Sequence, residues 1–548
     1  MKYEILDVDA LGRIGKLELN NKEIITPNLF PVVHPFRNVI APSSLKKFGA
    51  QCIFTNAYII YQNNNLRDEV IKKQIHQFLD FDGLIATDSG AFQQYMYRDT
   101  NLDVNVQEIE VFQENIGSDF PVILDLPVQP DDSYDDAKNK IQATLDRAKD
   151  NIERRINSKC EWMGPVHGGK FQDLLIHSAQ EMSKLNFGIY AIGGLVKAFL
   201  DYRFDLVIRI LLDVKKNIIP NKPLHMFGLG LPQFFSLAVA CGCDLMDSAA
   251  YILYANENRY FTLSTGTKQL EEIDEFPCHC PVCIDYTPQE MKKLEEKLKI
   301  ELLAKHNLYL SFSELRTIRQ AIREGNLWEL VEQRIRSHPN LVNAAKILKK
   351  EGLTFEVYEK IYKKHGRLLS SSDSIHRPLI SRAQDRIMNN YRVPNEVKFL
   401  MILPELDAKW QNSPTIQQWL GEINNNELIP RKGIDILFYS HFFGLIPLEL
   451  IDTYPMGQYE AIMPSETDDL TYGSILSKCE NFLQQNCKYY QKCGMVIPET
   501  FFNQFGEPKV FNNNNLIQKF VSILMTIFHL KYKGSNKLKD LLEFFRDE

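Results

Sequence analysis

Three aspartates, a histidine and several glycine-rich turns stand where short apolar runs end. They are Asp88 in Asp88-Ser89-Gly90-Ala91-Phe92-Gln93, Asp125 in Asp125-Leu126-Pro127, His167 in His167-Gly168-Gly169, the pair Gly193-Gly194, the turn Gly228-Leu229-Gly230, and Asp247 in Asp247-Ser248-Ala249. Two carboxylates in one cleft can divide a displacement between them, one bonding or stabilising an electron-poor carbon and the other moving a proton. Glycines let a ligand approach the backbone and use its N–H and C=O groups. A single Asp after a strand equally caps the next helix. Three at strand ends of one domain point to a shared site. Phe92, after Asp-Ser-Gly, reads either as packing or as a platform for a flat heteroaromatic ring.

A second constellation is Cys278-x-Cys280-x-x-Cys283, with His306 downstream in a helical stretch. Three thiolates and one imidazole suit a tetrahedral Zn2+, and four protein ligands close its shell, so such a site is structural. His279 competes with His306 for the fourth place. A helix can return a side chain to a tight knuckle, which favours His306. Beyond it Arg316, Arg319 and Arg323 recur on one helix face, either as a solvated surface or as a strip for phosphates.

These residues need a scaffold. The apolar runs are 24–33, 52–60, 83–87, 120–124, 162–166, 187–192, 223–227 and 243–246, with little alternation, as in parallel strands buried on both faces. Amphipathic stretches at 135–157, 172–185 and 202–216 lie between them. Eight strand–helix alternations in about 250 residues match a (β/α)8 barrel, whose catalytic groups sit at the C-terminal strand ends. A doubly wound open sheet is the alternative, but no G-x-G-x-x-G follows the first strand. The expected division is a barrel over 1–275, a zinc-binding helical subdomain over 276–368 with helices at 288–305, 313–324 and 327–337, and an α+β accessory region over 369–548. Ser370-Ser371-Ser372 reads as a linker.

The composition agrees. The 548 residues carry a net charge of −7, with 44% apolar and 24% charged residues, which excludes a disordered chain and a globally basic nucleic-acid coat. Ten cysteines are too few for a disulfide scaffold. The longest apolar run, 520–530, is about half a membrane span, so no membrane association is expected. No export signal precedes the first strand, which points to the cytoplasm.

With those strings in place, the sequence resembles the tRNA-guanine transglycosylase family, its archaeal branch in particular. The resemblance rests on Thr87-Asp-Ser-Gly-Ala-Phe-Gln93, Leu124-Asp-Leu-Pro127, Tyr190-Ala-Ile-Gly-Gly194, Met246-Asp-Ser-Ala-Ala-Tyr-Ile-Leu-Tyr-Ala255, Gly266-Thr-Lys268, Phe276-Pro-Cys-His-Cys-Pro-Val-Cys283 and Leu303-Ala-Lys-His-Asn-Leu308. It implies a TIM barrel with a zinc subdomain, and replacement of a D-loop guanine at tRNA position 15 by 7-cyano-7-deazaguanine (preQ0) on the way to archaeosine. By motif match Asp247 is the nucleophile and Asp88 the general acid/base. Phe92 stacks on the base, and Asp125, His167 and the backbone of Gly193, Gly194 and Leu195 read its edges. Relatives are homodimers, and tRNA is the expected partner.

Some positions depart from the family pattern. His167 stands where glutamine is usual, and Leu231 replaces a polar residue. No terminal RNA-binding PUA domain is recognised, which leaves tRNA grip to a separate PUA-domain protein or to other surfaces, and the Lys-Pro-Tyr motif of the related archaeosine synthase is missing. An inactive tRNA-binding paralogue, a DNA-acting 7-deazaguanine transferase and a nucleoside hydrolase are the rival readings. Intact Asp88 and Asp247 argue against the first, the knuckle and accessory region against the second, and the basic helices and large C-terminal region against the third.

Overall fold

Alternation builds the first half of the molecule. Residues of one parity on each strand share a face. Cys52 and Phe54, Leu84 and Ala86, Phe120 and Val122, and Ile189 and Ala191 all enter one buried cluster with Phe30, Met163 and Leu245. The computed structural model describes residues 1–548 except 92–104, 130, 156–158, 407–409, 428, 462–468, 503–504, 511–514 and 548. Two compact units emerge, Met1–Thr354 and Phe355–Glu548.

In the first unit, β1 (Lys2–Asp9), β2 (Gly12–Leu19) and β3 (Lys22–Ile25) form an antiparallel sheet that sequence reading did not anticipate. There follow β4 (Asn28–Pro31), β5 (Cys52–Asn56), β6 (Leu84–Asp88), β7 (Phe120–Pro121), β8 (Met163–Val166), β9 (Ile189–Ile192), β10 (Leu224–Met226) and β11 (Leu245–Ser248). β4-β11-β10-β9-β8 make one parallel sheet and β5-β6-β7 another. Parallel bridges Val32–Phe54 and Val122–Met163 link the two at both margins. Helices Tyr134–Arg154, Gln172–Lys184 and Phe204–Asn217 fall where the amphipathic stretches place them.

Two apolar runs are cut shorter than expected. Run 24–33 divides at Pro27, which lacks the N–H a ladder needs: β3 pairs with β2, and β4 turns to β11. Run 52–60 stops at Asn56, whose side chain caps the next helix by accepting from the Ile59 N–H at 2.8 Å.

The β1–β3 sheet covers the N-terminal ends of the parallel strands. Leu17, Leu19 and Ile24 extend the inner cluster. The Met1 amino group reaches Glu161, Asn20 reaches Asp119, Lys22 reaches the Gly83 carbonyl and Arg13 reaches Asp244, each partner lying just before a strand. The C-terminal strand ends are left for chemistry.

β12 (Arg259–Thr262) and β13 (Gly266–Gln269) form a hairpin before the cysteine cluster. Pro288–Lys292 opens with the capping box Thr287/Glu290. The two helices expected at 288–305 and 313–324 are not separate: one helix runs Glu296–Glu324. Ser311 lies inside it, its hydroxyl donating to the Asn307 carbonyl one turn back. Gly325, at φ +73°, ends it.

The second unit differs from the expected α+β arrangement. Its sheet contains the parallel strands Phe399–Pro404, Ile434–Ser440, Lys492–Val496 and Tyr532–Ser535, plus the antiparallel edge Gly444–Pro447. Helices Pro414–Asn425 and Asn515–Phe528 connect parallel neighbours, giving an α/β layer. Ser370–Ser372 lies inside this unit, directly after the short strand Arg367–Leu369, which pairs with Tyr459–Ala461. Among the described residues no helix is long and apolar enough to cross a membrane.

Candidate active site and metal centre

Parity carries both catalytic candidates to the inner face. Asp88 continues Leu84 and Ala86 on β6, and Asp247 continues Leu245 on β11. Their strands are separated by β5 and β4. Asp88 Oδ2 accepts from Asn56 Nδ2 at 2.9 Å, and Oδ1 from the Gly90 N–H at 3.1 Å. Asn56 is held by its own cap to Ile59, which fixes the amide so that its NH2 faces Asp88. Asp247 Oδ1 accepts from His225 Nε2 at 2.7 Å and, more weakly, from the Gly228 N–H at 3.4 Å.

Asp125 and His167 meet each other, with Asp125 Oδ2 2.5 Å from His167 Nε2 and both side chains buried. The imidazole lies against the Gly193 backbone so closely that a Cβ there would sit 2.2 Å from its Cε1. Gly194, at φ +75°, leaves no room for a side chain beside the Val128 carbonyl, 2.6 Å from the Cβ position. Leu195 follows, buried. Thus Asp125, His167, Gly193 and Gly194 form one cluster. Phe92 lies outside the described residues.

Neither Asn56 nor His225 was singled out from sequence. His225 sits in an apolar run and passes for a core residue. Its place on β10 opposite Leu245, with the parity of Phe227 just beyond the strand, was the available signal.

Cys278, Cys280, Cys283 and His306 converge, their donor atoms all within 4.8 Å of one another. Cys280 Sγ lies 3.6 Å from Cys283 Sγ, and His306 Nδ1 lies 3.5 and 3.4 Å from those two sulfurs. Tetrahedral Zn2+ bonds imply edges of about 3.8 Å between sulfurs and about 3.6 Å between sulfur and nitrogen. The donors therefore fit such an ion. Hydrogen bonds among the sulfurs hold the Cys278 thiol well below the ordinary range and push Cys283 above it. His306 Nε2 donates to the Phe261 carbonyl at 3.0 Å, leaving Nδ1 as the ligand. Tyr260 stacks on the His306 ring at 3.6 Å. Asn307 bonds Phe261, Tyr251 and Arg259 backbone groups, clamping the long helix to β12. His279 takes no part in this cluster.

On the same helix Arg316 and Arg323 are exposed. Among the described residues no carboxylate lies within ion-pair distance of either. Arg319 is half-buried and donates to the Pro27 carbonyl at 2.6 Å. Burial, with Arg316 and Arg323 nearby, pulls its guanidinium down to about 10.

Acid side chains gathered at the C-terminal ends of parallel strands, in an α/β frame, are the arrangement of an enzyme active site. A family model described as queuine tRNA-ribosyltransferase matches residues 8–340. A tRNA-guanine(15) transglycosylase of Methanococcus maripaludis (strain C6) is 40% identical over 522 residues, 91% of this chain and 77% of that protein. The protein of the same name from Methanocaldococcus jannaschii is 40% identical over 467 residues, 84% and 68% of the two chains. That from Pyrococcus abyssi is 42% identical over 386 residues, 70% and 65%. The chain belongs to the queuine tRNA-ribosyltransferase family, on its archaeal, tRNA-guanine(15) side.

Proposed function

We propose that this protein exchanges the guanine at D-loop position 15 of tRNA for 7-cyano-7-deazaguanine, the base that leads to archaeosine. The observation that carries the reading is the shared parity of Asp88 and Asp247 at the same pole of the strands, opposite the pole covered by β1–β3. Eight parallel strands with margins bridged on both sides support a (β/α)8 barrel as their arrangement.

Asp247 attacks the anomeric carbon and holds the ribose while guanine leaves. Asp88 protonates the departing base and later takes a proton from the incoming one. Two displacements at one carbon restore its configuration. Asp125 accepts from the amino and N1–H groups common to guanine and its deaza analogue. Its second oxygen, engaged by His167, is held in place for that role. The target nucleotide must leave its stack to reach the pocket, and Arg316 and Arg323 supply phosphate contacts, with Arg319 bracing their helix. Cys278, Cys280, Cys283 and His306 hold one Zn2+, which supplies no chemistry to the exchange because four protein ligands close its shell. A homodimer and a cytoplasmic setting complete the proposal on the strength of the family resemblance.

Incubation with an unmodified tRNA transcript and radiolabelled guanine tests it. Label enters wild-type reactions and is lost with Asp247→Asn. Competition by unlabelled preQ0, stronger than by preQ1 or queuine, identifies the base. No incorporation by zinc-loaded wild type would favour the inactive paralogue.

A further inference from the structure

The exchange described above gives His225 no part. Its ring is fully buried beside Phe30, Phe54 and Phe227, at centroid distances of 5.5, 6.1 and 5.1 Å. A carboxylate oxygen only accepts, so the 2.7 Å contact to Asp247 Oδ1 places a proton on Nε2. Among the described residues Nδ1 finds no hydrogen-bond partner and lies buried beside the aromatic rings. The Gly228 N–H donates to the same Oδ1. Oδ2 accepts from no protein group among the described residues, and the Asp247 side chain keeps 12% of its surface exposed.

We propose that His225 is a positioning residue that decides which oxygen of Asp247 reacts: it anchors Oδ1 through Nε2–H and leaves Oδ2 to bond the anomeric carbon. The inference rests on the base-exchange reading. In the first half-reaction an Oδ2 electron pair forms the C1′–O bond, the C1′–N9 pair leaves with guanine, and Asp88 gives the base its proton. Oδ1 is then the carbonyl oxygen of a ribosyl ester, still facing the His225 donor. In the second half-reaction Asp88 removes the N9 proton of the incoming base, N9 bonds C1′, and the C1′–Oδ2 pair returns to the carboxylate. Charge reappears on Oδ1 as that bond breaks, so the donor favours breakdown of the adduct more than its formation.

The test compares His225→Phe and His225→Gln in the full chain, using tRNA, guanine and a denaturing gel that retains the adduct. Phe fills the aromatic surroundings without a donor; Gln offers an N–H at similar reach but packs worse. A positioning role predicts that Phe lowers kcat about 10- to 100-fold, leaves KM for tRNA within about twofold and raises the adduct fraction at steady state. It also predicts that Gln recovers most of kcat. A packing role predicts the reverse order, with Phe better than Gln. His225→Phe equal to an active wild type, or Gln no better than Phe, overturns the proposal alone. A wild type that exchanges nothing overturns it together with the base-exchange reading. Should the Phe variant fail to fold, a folded Gln variant retaining at least about a tenth of wild-type kcat supports the proposal, and one with none overturns it.

Discussion

Arg13→Met removes the cation that holds the covered pole together. Arg13 Nε donates to Asp244 Oδ1 at 2.8 Å and Nη2 to Oδ2 at 2.5 Å. Its remaining N–H groups reach the Pro220 carbonyl and, at 2.7 Å, the Lys222 carbonyl. Asp244 is fully buried, so among the described residues the variant leaves its carboxylate the Leu224 N–H at 2.8 Å, Tyr3 OH at 3.2 Å and the Lys215 ammonium at 3.9 Å. Removing one partner of a buried pair costs about 3–5 kcal/mol. The first unit has 354 residues. At about 2.1 cal/mol/K per residue its unfolding entropy is about 0.7 kcal/mol/K, so Tm falls by about 4–7 °C at pH 7. The pH dependence fixes the cause. Burial pushes the Asp244 carboxyl up, but Arg13 and Lys215 outweigh it and hold the group below the ordinary carboxylate range. A lowered folded value contributes stability above the unfolded value, about 4, and that stability is lost as the pH falls through the folded value. Without Arg13, burial wins and Asp244 protonates in the folded chain as the pH drops. The Tm gap between wild type and variant therefore narrows from pH 7 towards pH 4, as followed by circular dichroism. A drop below about 2 °C, or a gap unchanged at pH 4, would refute the argument.

Burial pulls the covered Lys215 ammonium down from 10.5 to about 8. Between those values the unfolded chain binds more protons, so stability rises with pH, and melts at pH 8 and 10 should show that slope weakened in Lys215→Met. Cys280→Ser should lower bound zinc from about one per chain to a small fraction by elemental analysis and lower the first melting transition, whereas His279→Ala keeps the metal. Gly193→Ala puts a methyl group 2.2 Å from His167 Cε1, and the ring must move off Asp125. KM for the base should rise about tenfold or more in exchange assays, with little change in KM for tRNA.

The cysteine–histidine cluster was legible because its chemistry is local: three cysteines within six residues announce a knuckle, and a helical stretch downstream carries His306. Strand positions were legible from apolar runs. The β1–β3 sheet was not, because residues 2–9 mix exposed and half-buried side chains and carry little core signal. The pairings Asp125–His167 and His225–Asp247 depend on how neighbouring strands are staggered, which no single run contains. Phe120–Pro121 is a two-residue strand, too short to carry alternation onward, so parity alone does not predict where Asp125 points. Helices expected at 288–305 and 313–324 share one helix over 296–324, because the intervening 306–312 continues the same helical hydrogen bonding.

The two poles of the first unit explain why its buried charges are handled so differently. At the covered pole Asp244 is met by a two-toothed guanidinium, a backbone N–H and a phenol, which leaves both its oxygens engaged. At the opposite pole Asp247, three residues on, has one oxygen held, and among the described residues no protein donor meets the other. An acid that must form and release a bond needs one oxygen unsaturated by protein donors, and an acid that anchors a sheet needs neither. Asp244 stands just before the strand Leu245–Ser248 and Asp247 lies within it, so one short element carries a frame-anchoring carboxylate at its start and the candidate nucleophile near its end.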